Sequence, residues 1–178
     1  MPFHTQVSNI VKNLRLFSSD HEKYVAELLD RIIRHYSGNL VSLVIFGSYA
    51  RRENRLTSDL DILIILKKAK SRGERIREFV ECVEMPLEMQ AQKLADEGIF
   101  VDISPIILST MEAGYFNPLY LDMLEHAVIV VDRDGFFKNI IERVREKVEE
   151  WGSYREYFGN RWVWVVKKGG FVGGVRLG

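Results

Sequence analysis

Val44-Ile45-Phe46-Gly47-Ser48-Tyr49-Ala50-Arg51 leads, through a short polar link, into Thr57-Ser58-Asp59-Leu60-Asp61-Ile62-Leu63-Ile64-Ile65. An apolar, β-branched run stops at Gly-Ser, one helical turn follows, and a second apolar run opens on two aspartates spaced i, i+2. In a strand that spacing sends both carboxylates to one face, roughly 7 Å apart at about 3.3 Å per residue. The reading decides the fold class: two buried strands joined by a Gly-Ser turn and a short helix, with acids beside the turn.

Working outward, Leu40–Phe46 is expected as the first strand and Asp59–Leu66 as the second, with a short helix over residues 48–53 and a loop over 54–57 between them. Upstream, Val25, Leu28, Leu29, Ile32, Ile33 and Tyr36 form an i, i+3, i+4, i+7 stripe, which predicts an amphipathic helix capped by Ser19 or Asp20 and ended near Gly38. His21 and His35, near its two ends, are expected at the surface. Downstream, Lys67–Gly73 reads as a solvated cationic turn. Glu74–Val83 reads as a helix burying Cys82, and a further helix begins at Pro86 and stops at Gly98.

Ile99–Ile107 is expected as a third strand, placed at an edge because Pro105 cannot donate to a ladder. A short helix over Leu119–Glu125, a fourth strand over Ala127–Val131 stopped by Asp132–Gly135, and a last helix over Phe136–Trp151 complete a mixed α/β (α+β) pattern of strands and flanking helices. The stripe Phe137, Ile140, Ile141, Val144, Val148 is the core-facing side of that last helix. Residues 1–150 form the expected main domain; 151–178 form an aromatic and glycine-rich tail, a strand at 162–166 followed by a mobile end. Trp151, Trp162 and Trp164 cover the core or meet a partner.

The 178 residues suit one domain, and 25 basic against 25 acidic residues leave no cationic field of the kind nucleic acid selects. A single cysteine excludes an internal disulfide and a cysteine metal cage. No run approaches a membrane span and the start lacks a signal-peptide pattern, so a cytoplasmic location and no membrane partner are expected.

Asp102 is the one charged residue in Ile99–Ile107, and a carboxylate among apolar neighbours needs a partner. If its strand lies beside that of Asp59 and Asp61, three carboxylates converge, and a divalent ion would relieve their repulsion. Oxygen-only ligands suit Mg²⁺, or Mn²⁺ in its place, and two such ions can serve an in-line displacement that releases pyrophosphate. Gly47 lets backbone approach a phosphate, and Ser48 adds a hydroxyl at the opening of a helix. Each feature alone has a plain reading as a turn, a solvated strand end or a buried acid; it is their order that points to a site.

That order, Gly47-Ser48, Asp59-Leu60-Asp61 and a later Asp102, resembles the nucleotidyltransferase superfamily that includes DNA polymerase β. Gly47-Ser48-Tyr49-Ala50-Arg51 with Ser58-Asp59-Leu60-Asp61 is most similar to its minimal nucleotidyltransferases. The resemblance implies a small mixed sheet flanked by helices and Mg²⁺-dependent transfer of a nucleoside monophosphate, AMP from ATP, to an acceptor hydroxyl. It implies metal binding and catalysis by Asp59, Asp61 and Asp102, and triphosphate binding by Gly47 and Ser48. Arg51 either reaches a phosphate or pairs with an acidic neighbour. It further implies an antitoxin role toward a HEPN-type protein partner. Two alternatives stay open: a catalytically silent module that masks a partner, and nucleotide transfer to a small molecule such as an antibiotic.

Overall fold

The computed structural model describes residues 3–158, 161–165 and 177. Helices α1 (Phe3–Val11) and α2 (Ser19–Tyr36) precede β1 (Leu40–Ile45), the one-turn α3 (Gly47–Ala50) and β2 (Leu60–Leu66). Then α4 (Arg72–Phe79) runs through a π-helical turn, Val80–Glu84, and a 3-10 turn, Met85–Leu87, into α5 (Glu88–Asp96). The remaining elements are β3 (Ile103–Ser109), α6 (Thr110–Ala113), α7 (Leu119–Met123), β4 (Val128–Asp132), α8 (Phe136–Glu150) and the strands β5 (Tyr154–Phe158) and β6 (Arg161–Val165).

Four strands form one mixed sheet in the order β3-β2-β1-β4; β1 is antiparallel to both neighbours, and β2 is parallel to β3. Helices cover both faces, which is why β1 and β2 read as nearly continuous apolar runs, broken only by Ser42 and Asp61, rather than alternating ones. On one face Leu60, Ile62, Ile64 and Leu66 pack with Leu28, Leu29 and Ile32 of α2; on the other Leu63 and Ile65 pack with Tyr120 of α7 and Phe137, Ile140 and Val144 of α8. The expected stripe of the last helix is the buried one. Pro105 lies in edge strand β3, opposite Ile62, as its missing N–H requires.

Several expectations are corrected. The cap of α2 is Ser18, whose hydroxyl accepts from the His21 N–H at 3.1 Å, one residue before Ser19. His21 is fully buried, because the chain before α2 folds back over its first turn instead of leaving it in solvent; His35 keeps partial exposure and pairs with Glu78 at 3.0 Å. Cys82 is exposed. The π-helical turn shifts the helical phase there, so Phe79 and Val83 carry the burial and Cys82 turns outward. The third strand starts at Ile103 rather than Ile99, leaving Asp102 in the segment that enters it. Among the tail residues, Arg161–Val165 is a strand, with Tyr154–Phe158 as an unanticipated partner; the glycine-rich end lies outside the described residues.

Candidate active site

The site is built where β1 ends and β2 begins. Ile45 pairs with Ile62, and the Phe46 N–H donates to the Asp61 carbonyl at 3.1 Å, so the chain leaving β1 turns directly over the first residues of β2. Gly47 occupies that turn with φ +66°, a region that L side chains rarely adopt. A Cβ at Gly47 would collide with Asp61 Oδ2 and stand 3.0 Å from its carboxyl carbon. Glycine is therefore required twice, by conformation and by the carboxylate lying against its Cα.

Asp61 has the period-two position of Leu63 and Ile65, on the α7 and α8 side of the sheet. Burial pushes its carboxyl above the ordinary aspartate range; the charges of Asp59 and Asp122 add to the rise, and Arg51 and a side-chain hydrogen bond from Ser104 oppose it. Ser104 is the residue opposite Asp61 in the parallel β2–β3 pair. Asp59 precedes the strand and is exposed. Two carboxylates repelling each other at a strand entrance are a group of hard oxygen donors fitted to a divalent cation.

Asp102 is placed differently from the sequence reading. Its carbonyl accepts the Leu60 N–H at 2.8 Å, so its backbone adjoins β2 immediately after Asp59. Its side chain is exposed, so no desolvation compels it to find a partner, and the groups that feel its charge are Glu84 and Tyr24. Among the described residues, no three His, Cys, Asp or Glu side chains are grouped closely enough to hold a metal ion. Asp59 and Asp61 are thus brought together, and Asp102 stands beside them without closing the cluster.

Ser48 is half-buried in the single turn of α3, where its carbonyl accepts the Glu53 N–H at 2.9 Å. The first N–H groups of a helix lack acceptors within it, so this turn offers donors to an anion. Arg51 Nε donates to Glu53 at 2.9 Å, and its charge also favours the ionised forms of Asp61 and Asp122.

Three residues near the acids were missed. Asp122 of α7 is half-buried, and burial raises its carboxyl against the pull of Arg51 and Arg155. Arg155 reaches this neighbourhood on β5, with its guanidinium 5.0 Å from the Trp164 ring centre. Ser104 and Arg155 lie far along the chain from the motif and carry no spacing signal. For Asp122 the signal was available, since it is the acid in an otherwise apolar helical turn, Leu119-Tyr120-Leu121-Asp122-Met123.

A family model for the nucleotidyltransferase domain matches residues 25–150. The chain belongs to this family. The nucleotidyltransferase is also 32% identical over 130 residues to MJ1305, a candidate protein adenylyltransferase of Methanocaldococcus jannaschii, across 70% of this chain and 83% of the relative. Among solved structures, it is similar to a chain of a toxin–antitoxin complex with AMP-PNP, at 16% identity and TM-score 0.44 over 70% of this chain and 90% of that one. It is similar as well to a chain of the complex between tri-AMPylated Shewanella oneidensis HEPN toxin and MNT antitoxin, at 16% identity and TM-score 0.39 over 72% and 92%. The nucleotidyltransferase has the polymerase β-like fold, and none of its described helices is long and apolar enough to cross a membrane.

Proposed function

We propose that this nucleotidyltransferase moves AMP from ATP to a hydroxyl on a protein. The observation that carries the reading is the contact of Gly47 with the Asp61 carboxylate: a turn open to phosphate approach lies directly against an acid that is costly to keep charged without a cation. Similarity to MJ1305 supports a protein acceptor and an adenylyl group. The reactive unit is residues 1–150, with 151–178 appended to it.

Asp59 and Asp61 would hold Mg²⁺ or Mn²⁺, and Asp102, which stands beside them outside the cluster, would join the set only with its exposed side chain turned toward them. When bound, such ions neutralise the triphosphate and stabilise the charge that develops on the leaving pyrophosphate. Gly47 and Ser48 hold the triphosphate at the turn, and Arg51 balances charge beside it. The acceptor oxygen forms a bond to the α-phosphorus as the bond from that phosphorus to the bridging oxygen of pyrophosphate breaks, and the acceptor proton passes to the Asp102 carboxylate. A HEPN-type toxin is the acceptor this reading tests first.

The test incubates the chain with ATP labelled in its α-phosphate, Mg²⁺, and candidate acceptors that include the products of neighbouring genes. Label should appear on a protein and vanish with Asp59→Ala and Asp61→Ala. Label on a small molecule would redirect the acceptor class, and tight partner binding with no transfer would overturn the reading in favour of a mask.

A further inference from the structure

His21 is a titratable side chain with no exposed surface, and the chemistry above does not use it. Its Nδ1 accepts the Phe17 N–H at 3.4 Å, which leaves the ring proton on Nε2, 3.1 Å from the hydroxyl of buried Tyr49. The imidazole stacks on Phe17, with ring centres 5.8 Å apart, and meets Tyr49 edge-on at 5.9 Å. Tyr49 is the buried residue of α3. That helix is one turn long, too short to fix its own direction through its internal bonds.

The far end of the same loop is tied in the same way. Asn54 is fully buried and donates through Nδ2 to the Arg15 carbonyl at 2.9 Å. Residues 47–54 are therefore held at entry by His21 and at exit by Arg15. Both anchors lie before residue 25, where the family match begins.

We infer that the segment 15–21 is a brace that sets the position of the Gly47–Ser48 turn, with His21 and Tyr49 as positioning residues for the triphosphate. An apolar pair could fill this volume, but it would not fix the direction of Tyr49 as a hydroxyl with a defined donor does. The inference rests on the proposed use of that turn for ATP, so its test separates the two.

Tyr49→Phe and His21→Phe keep the rings and remove the bond between them; His21→Gln restores a donor. Three quantities are measured for each: KM for ATP against kcat, direct binding of ATP with Mg²⁺, and amide exchange across residues 47–54. A net hydrogen bond corresponds to roughly a 3- to 10-fold factor. Each Phe variant should raise KM and Kd by about that factor, with kcat within about twofold; the double variant should be no worse than either single, and His21→Gln should recover part of the loss. Exchange at 47–54 should quicken while the sheet stays protected. Unchanged exchange at 47–54 in folded Tyr49→Phe overturns the brace, as does unchanged ATP affinity in a protein whose wild type binds ATP. A wild type that binds no ATP overturns the functional reading instead, and exchange then decides the brace alone. Should His21→Phe not fold, Tyr49→Phe carries the test.

Discussion

Asp61 shows a conflict between stability and function within one side chain. Its carboxyl is raised mainly by burial, so the ionised form costs the fold; that stability is present below the unfolded pKa and is lost as pH rises through the folded one. Asp61→Asn should therefore lose at least about a hundredfold in transfer rate while its melting temperature at pH 7 matches or exceeds that of the wild type. A clear loss of stability in that variant would contradict this account. Gly47→Ala faces the opposite balance. It places a methyl group against Asp61 Oδ2 at φ +66°, so both activity and about 1–2 kcal/mol of stability should go, by chemical denaturation.

Among the elements, the first turn of α2 and the start of α6 each carry an ionisable group whose effect on stability has a definite sign. Burial pushes the His21 imidazole down to about 4 from 6.5, so its contribution is present above 6.5 and lost as pH falls toward 4. A melting curve series should show that descent, and His21→Gln should flatten it. Glu112 caps α6 and accepts both Nη atoms of Arg75 at 2.8 and 2.9 Å, and that bond, more than any other interaction, holds its carboxyl down at about 2. Arg75 is 8% exposed and also donates to the Ile107 carbonyl at 2.6 Å. Glu112 is 40% exposed and Arg75 keeps its bonds to the Lys70 and Ile107 carbonyls, so Glu112→Gln should cost about 1 kcal/mol, read by urea unfolding. These elements also show what the sequence could reveal. Strands β1 and β2 and helices α2 and α8 were legible because burial leaves a period in the apolar residues. His21 was misread because α2 begins under a loop whose path no periodicity records, and Cys82 because one π-helical turn moves the face. The approach of Gly47 to Asp61 was legible because both sit within one antiparallel strand pair; Asp102 was expected inside a strand that it only precedes, since the entry into β3 is set by pairing with β2.

At the scale of the molecule, equal numbers of acidic and basic residues do not mean an even surface. The acids gather at the opening of β2, and Lys67, Lys68 and Lys70 follow its other end, about 20 Å away at the rise of a strand. Added Mg²⁺ in the millimolar range should raise the melting temperature of the wild type, and the rise should grow with pH as the raised Asp61 carboxyl ionises; the double variant Asp59→Asn, Asp61→Asn should show neither effect.

The parallel pairing of β2 with β3 has a consequence for how the protein comes to exist. Gly47 meets Asp61 through the connection over residues 48–60, whereas Ser104 reaches Asp61 only after the longer chain through α4 and α5 has closed on itself. Loop closure of that length costs more entropy and slows the step that requires it. The turn and the aspartate pair should then form before their neighbours on β3 arrive, so Leu63→Ala should chiefly slow refolding and Ile107→Ala chiefly hasten unfolding in stopped-flow measurements. A nascent chain emerging from the ribosome would hold half of the candidate site well before the rest of it had formed.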